Sequence, residues 1–176
     1  KDGVYYESDT IRSVKGTSAT NTILFQSESK DSSAVVLEWN SQKSGNWNLW
    51  LNRADFITFK NIGFRQLFDG GKQNVHLIDC HNITFENCLF EGSNMVMDGA
   101  LLTGTVDSNL TVKNCTFQYA RRGVDLRGGA KSPAKNLHFT GNSIHTQNTG
   151  IALSNTSKAI VRKNQFLNIT GGVYAF

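Results

Sequence analysis

One short template recurs five times between residues 57 and 166, and this recurrence constrains the fold more than any other feature. The copies vary on the pattern I-T-F-x-N-x-x-F, which residues 57–64 and 83–90 match in full, and each copy has an apolar residue at its third position. Those third-position residues lie 26, 27, 27 and 22 residues apart, as Phe59, Phe85, Val112, Phe139 and Val161. Such spacing suits a coil of three short strands and three turns that stacks on copies of itself.

The template alternates apolar and polar residues over its first four positions, which predicts a strand with one buried face. Its fifth position predicts a left-handed bend, since Asn and Gly adopt that conformation at low cost. The five residues there are Asn61, Asn87, Asn114, Gly141 and Lys163. Lys163 departs from this preference and predicts a looser corner. The sixth position is predicted to face inward, as a column of Ile62, Cys88, Cys115, Asn142 and Asn164.

A second strand pattern recurs in phase with the first, ending eight residues before the next anchor in three coils. Its copies are 49–51, 75–77, 100–102, 124–126, 151–153 and 173–175. The middle residues are predicted to form one outward row along the solenoid, consisting of Trp50, His76, Leu101, Asp125, Ala152 and Tyr174.

These two periods predict an all-β chain folded as a right-handed parallel β-helix of about six to seven coils. Residues 1–47 are predicted to form irregular opening coils and residues 48–176 regular ones. Because the apolar strand pattern at 172–176 has no polar cap after it, we expect a segment of a larger protein. A leucine-rich repeat is the alternative, since residues 137–144 match its core pattern; the absent upstream leucine and the second strand count against it.

Charge and cysteine content narrow the classes of partner. The net charge of +4 is scattered, apart from Arg121, Arg122, Arg127 and Lys131, so no nucleic-acid partner is expected. No apolar run reaches the roughly 18 residues of a membrane span. Cys88 and Cys115 share one position in adjacent coils, and a stacked pair of thiols is favoured over a strained disulfide, with their redox state left open.

The I-T-F-x-N-x-x-F and G-[VI]-x-L phrases resemble the right-handed parallel β-helix repeat proteins, the pectate-lyase-like group, over residues 48–176. Residues 16–27 and 52–61 resemble the opening coils of large secreted surface proteins of Bacteroidota. The resemblance implies an extracellular or cell-surface location, a glycan or polysaccharide partner and neighbouring domains in the same chain. Such proteins include lyases, glycosidases, adhesins and passive stalks, so the fold leaves the activity open.

The outward row is the predicted substrate-binding face. Aromatic side chains stack on sugar rings, while Arg and Asp bind carboxylates or a cation. The candidates are Trp50, His76, Arg121, Arg122, Asp125, Arg127 and Tyr174. The competing interpretation is an ordinary solvated face.

The predicted function is a secreted or cell-surface β-helix module that binds carbohydrate or has an adhesive or structural role, and whether the chain is an enzyme is left open. The alternative is a polysaccharide lyase or glycoside hydrolase acting on an acidic polysaccharide along the same face. A lyase needs a base and a cation or Arg to neutralise the uronate carboxylate, and its weak candidates are Arg122, Asp125, Arg127 and Lys131. The histidines lack metal-ligand spacing, so no metal or cofactor is expected, with Ca²⁺ kept as an alternative.

Overall fold

The protein is described from a computed structural model, which covers residues 1–39, 46–66, 73–93, 100–105, 108–129 and 132–175. Within these ranges the chain forms strands and no helix. The strands are β1 (Gly3–Tyr6), β2 (Asp9–Arg12), β3 (Ile23–Gln26), β4 (Val35–Glu38), β5 (Trp47–Asn52), β6 (Asp55–Lys60), β7 (Gly63–Arg65), β8 (Gln73–Ile78), β9 (His81–Glu86), β10 (Leu89–Glu91), β11 (Ala100–Thr105), β12 (Ser108–Lys113), β13 (Thr116–Arg127), β14 (Ala134–Thr140), β15 (Ser143–Ser154), β16 (Thr156–Ser157), β17 (Ile160–Arg162), β18 (Gln165–Phe166) and β19 (Gly171–Ala175).

Successive strands do not pair with each other but with the equivalent strand one coil away, and every strand pairing is parallel. Column A contains β2, β5, β8, β11, the C-terminal parts of β13 and β15, and β19. Column B contains β3, β6, β9, β12, β14, β16 and β17. Column C contains β1, β4, β7, β10, the N-terminal parts of β13 and β15, and β18.

This arrangement confirms the predicted right-handed parallel β-helix, and the leucine-rich repeat is wrong because its helices are absent from the described residues. The early chain joins the same columns, since β1 to β4 pair with equivalent strands of later coils. The division at residues 47 and 48 stays a prediction. No helix among the described residues is long and apolar enough to cross a membrane.

The repeated anchors stack directly over one another inside column B, as predicted. Phe59 pairs in register with Phe85, and their rings are stacked with centroids 5.3 Å apart. Phe25 extends the stack by one coil, at 5.1 Å from Phe59. A second ring column runs through column C, where Phe90 and Phe117 lie 4.5 Å apart. The two ring columns meet edge to face and fill the core.

The bend after column B has the predicted left-handed backbone. Its φ values are 54° at Asn61, 52° at Asn87, 53° at Asn114 and 69° at Gly141. Lys163 has the same conformation at 55°, so the bend is kept although the residue is neither Asn nor Gly, and the looser corner stays a prediction. The amide of Gly141 donates to the carbonyl of Arg162, which pairs this corner with the coil before it.

The inward column behind this bend passes from thiols to amides, as predicted. Cys88 and Cys115 are buried free thiols, and the amide of Cys88 lies 3.4 Å from the sulfur of Cys115. Burial raises the pKa of the Cys115 thiol, which keeps it protonated. The amide of Cys115 donates to Oδ1 of Asn142 at 2.9 Å, and Nδ2 of Asn142 donates to Oδ1 of Asn164 at 2.8 Å.

The outward face of column B carries a ladder of alternating charge. The Glu86 carboxylate lies 3.2 Å from the ammonium groups of both Lys60 and Lys113, in the coils on either side. Burial raises the pKa of Glu86, but the hydrogen bonds and charges of the two lysines outweigh it and the net shift is downward. The ladder therefore adds stability near neutral pH that is lost as pH falls through this lowered pKa.

Column A differs from the sequence prediction in one coil. Thr103, and not Leu101, pairs with His76 on one side and Asp125 on the other. Leu101 is 2% exposed and belongs to the core, so its predicted outward position is wrong. The cause is Gly104, which takes the inward position between Leu77 and Leu126 and hides the apolar pattern that marks the register elsewhere.

We expect Phe85→Ala to lower the free energy of unfolding by about 3 to 5 kcal/mol, since it opens a cavity between two stacked rings. Phe25→Ala is the matched control in the same column, where the ring is partly exposed and should lose less. Urea denaturation of both variants measures the difference. Equal losses would contradict the burial of the ring stack.

We expect Gly104→Ala to cost about 2 kcal/mol or more, because the added Cβ would lie 1.9 Å from the carbonyl oxygen of Leu77. Gly129→Ala is the control, since its nearest neighbour would be 3.6 Å away. Thermal melts of both proteins test this. A Gly104→Ala melt that overlays the wild type would place this strand in another register.

Candidate functional site

A groove of about 270 Å³ lies on the outer face of column A, across the last three coils. The residues that line it are Arg122, Asp125, Arg127, Thr149, Ala152, Leu153, Ser154 and Tyr174. The register of β13, β15 and β19 places Asp125, Ala152 and Tyr174 directly beside one another. Because Ala152 is the smallest of the three, the groove has space between the carboxylate and the ring.

The centre of the groove is an ion-paired triad. Nη1 of Arg122 donates to Oδ2 of Asp125 at 2.8 Å, and Nε of Arg127 lies 3.5 Å from Oδ1. Two guanidinium groups and one carboxylate leave one positive charge in excess. The side chain of Arg127 is 65% exposed, whereas that of Asp125 is 15% exposed. The charge available to a ligand is therefore positive, which favours a carboxylate or sulfate group.

Tyr174 forms the C-terminal wall of the groove and is 46% exposed. Its ring lies against the backbone of Gly171, where an added Cβ would be 2.4 Å from the ring. Gly171 thus makes room for the ring beside the groove. An exposed aromatic face next to an excess positive charge is a combination that suits the ring and the acidic group of a uronate sugar.

An aromatic cluster occupies the other end of the outward row. It consists of Trp47, Trp50 and His76. The ring centroids of the two tryptophans are 4.9 Å apart. The His76 ring centroid lies 6.0 Å from that of Trp47 and 6.4 Å from that of Trp50. Burial lowers the pKa of His76, so the imidazole is neutral near pH 7. Trp50 Nε1 and His76 Nδ1 are buried atoms without a hydrogen-bond partner in the described part of the chain.

Trp47 was missed by sequence reasoning, which counted one outward residue for each copy of the strand. The side chain of Asn48 explains its position, because Asn48 turns into the corner that precedes Leu49. Nδ2 of Asn48 donates to the carbonyls of Leu37 and Arg65, at 3.1 and 2.9 Å. Asn74 holds the same corner one coil later, with donation to Phe64 and Glu91. These amides anchor the strand that carries the aromatic cluster.

The structure brings together some of the predicted residues and separates others. Arg122, Asp125, Arg127 and Tyr174 share the groove, while Trp50 and His76 lie at the other end of the same row. Arg121 does not line the groove, since the ladder between β13 and β15 changes register around Ala120 and Arg122. Lys131 lies outside the described residues.

A second polar cluster lies on column B, where Asp55, His81 and Ser108 occupy equivalent positions in three coils. Nδ1 of His81 lies 2.9 Å from Oγ of Ser108. Oδ1 of Asp55 accepts from the backbone amide of His81 and not from its ring. The carboxylate therefore orients the strand and leaves the imidazole without the support of a catalytic triad.

Among the described residues, no three His, Cys, Asp or Glu side chains converge as metal ligands. Asp125, the one carboxylate among the described residues that line the groove, is ion-paired with two arginines. The expectation of no cofactor, and the Ca²⁺ alternative, stay predictions.

Stacked parallel coils with in-register side chains define a β-solenoid, here with a polar groove on one outer face. A family model described as a right-handed β-helix region matches residues 47–176, and the chain belongs to that family. No curated protein and no solved structure matches the chain. Membership therefore establishes the fold, and any activity has to be argued from the site itself.

Proposed function

We propose that this protein is a secreted or cell-surface module that binds an acidic polysaccharide through the groove of column A. The observation that carries the proposal is the triad of Arg122, Asp125 and Arg127, which leaves one accessible positive charge beside an exposed tyrosine ring. A uronate or sulfated sugar offers both an anionic group and a flat ring face. Arginine binds such oxygens through two parallel hydrogen bonds.

A polymer is favoured over a small ligand by the shape of the face. Equivalent positions in column A repeat every ~4.8 Å along the solenoid, so the row is a straight track and not an enclosed pocket. Repeating sugar units match a track of this kind. Extracellular location is part of the proposal.

A lyase acting on the same polymer is the alternative activity. The exposed guanidinium of Arg127 suits the neutralisation of a uronate carboxylate, which elimination requires. Arg122 and Asp125, however, bind each other at 2.8 Å, so neither is free to remove a proton in this state. The geometry therefore supports binding better than elimination.

The proposal predicts that Arg127→Ala weakens binding to polygalacturonate by about 10-fold or more, because a charged hydrogen-bond donor is removed. Arg122→Ala should act in the same direction. Arg162→Ala is the matched control, since it removes the same charge from an exposed position on column B, away from the groove. Isothermal titration calorimetry measures the affinities, which should fall with added salt.

Three outcomes separate the alternatives. Equal losses for Arg127→Ala and Arg162→Ala would reduce the interaction to non-specific charge attraction. A glycan array without acidic hits would remove the binding function. Ultraviolet absorbance that rises with time, from unsaturated uronate products, would assign the groove to a lyase.

A further inference from the structure

Each of the three columns ends, on both sides, in a strand that pairs with one neighbour only among the described residues. At the N-terminal end these strands are β2, β3 and β1, in columns A, B and C. At the C-terminal end they are β19, β17 and β18, in the same order. Each open edge presents backbone amides and carbonyls that a further parallel strand can bond.

The N-terminal end holds an apolar pocket of about 370 Å³, lined by residues of the first two coils. Ile11 and Phe25 contribute from the first coil, and the described lining is apolar apart from Asp9 and Thr10. Tyr5 pairs in register with a pocket residue of the second coil but turns outward, where its hydroxyl donates to the carbonyl of Lys1 at 2.6 Å. The core of the first coil is therefore only partly filled.

The outward row of column B is apolar at its two ends and polar in between. Leu24 begins the row and is 56% exposed, and Ile160 ends it and is 43% exposed. The four residues between them in the ladder are Thr58, Thr84, Thr111 and His138. The apolar side chains thus stand only where an outward position borders an open edge.

The outward row of column C has the same arrangement. Tyr6 begins it, and Leu167 ends it beside His145, because the amide of Leu167 donates to the carbonyl of Ile144. Both terminal side chains are exposed. The residues between them are Glu38, Arg65, Glu91, Gln118 and His145. Exposed apolar groups at matching positions of two ends are typical of surfaces that bind each other.

We propose that the N-terminal end of one copy binds the C-terminal end of a second copy, so that columns A, B and C continue across the contact and copies assemble head to tail. All strand pairings are parallel, so a second copy in the same orientation presents β19 to β2, β17 to β3 and β18 to β1. Such a contact joins two different surfaces and repeats without closing, which produces a filament.

The residues that meet in this arrangement are complementary. Leu24 lies beside Ile160 of the second copy, and Tyr6 lies beside Leu167, at the ~4.8 Å spacing of paired strands. Val161 of the second copy continues the inward stack that ends at Phe25, since Val161 pairs with the last ring of that column. No like charges meet on the charge ladder of column B, because it begins at Gln26 and ends at Arg162.

Asp9 opposes the contact and limits its affinity. It occupies the position that Leu49 and Val75 fill in the next two coils, so it borders Val173 of the second copy. A carboxylate at an inward position of an open edge is costly to bury and weakens pairing at that edge. Assembly is therefore expected at high protein concentration.

Sedimentation equilibrium of the 176-residue chain tests the proposal. The average mass should rise with concentration beyond that of a dimer, because each added copy leaves one end of each kind free. Leu24→Lys and Ile160→Lys should each raise the concentration needed for association by about 10-fold or more. Thr84→Lys is the matched control, since it adds the same charge in the middle of the same row and should assemble as wild type.

An equimolar mixture of the two blocked variants identifies which ends meet. The Leu24→Lys copy keeps an intact C-terminal end, and the Ile160→Lys copy keeps an intact N-terminal end. The mixture should therefore form a complex with one copy of each and grow no further. Circular dichroism checks that every variant is folded.

Asp9→Leu is a variant that should strengthen the contact. Replacing the carboxylate with the residue type found at Leu49 should lower the concentration needed for association by about 10-fold. This gain cannot come from a loss of folding, which would remove the open edges.

Three results would overturn the proposal. The first is a wild-type chain that stays monomeric up to about 1 mM. The second is association that survives in both lysine variants, or is lost in only one of them, since a contact between like ends depends on one of the two positions. The third is an Asp9→Leu chain that associates no more readily than wild type.

Discussion

Direct stacking of equivalent side chains from successive coils is the constraint on which the rest of this structure depends. Phe59 on Phe85 and Phe90 on Phe117 are stacked at 5.3 and 4.5 Å, close to the spacing between paired strands. The stacking aligns the core and also the outer face, because an inward column in register forces its outward neighbours into register. A row of surface residues is thus positioned by rings that never reach solvent.

The site arises where this regularity is interrupted. In two coils the corner before column A is held by Asn48 and Asn74, whose side-chain amides donate to backbone carbonyls of the column C strands β4, β7 and β10. In later coils β13 and β15 run through that corner as continuous strands. The aromatic cluster follows the first kind of corner and the arginine groove the second. The aromatic and the charged part of the row therefore follow two different corner structures, one held by an asparagine side chain and one formed by a continuous strand.

Much of the fold could be predicted from the sequence because buried positions repeat with a period that residue types reveal. The anchors, the left-handed bend and the passage from Cys115 to Asn142 all follow from one template. Thr103 could not be placed, since Gly104 replaces the leucine that marks the register in neighbouring coils. Trp47 was missed because strand alternation does not describe a residue at a corner.

The site was harder to predict because its properties depend on side-chain pairing and not on strand position. Sequence pattern placed Arg122, Asp125 and Arg127 near one another, but their net effect follows from which guanidinium is engaged and which is exposed. Had Asp125 been unpaired, the groove would offer a carboxylate and favour a cation. Because it is held at 2.8 Å by Arg122, the accessible charge is that of Arg127 and the groove favours an anion.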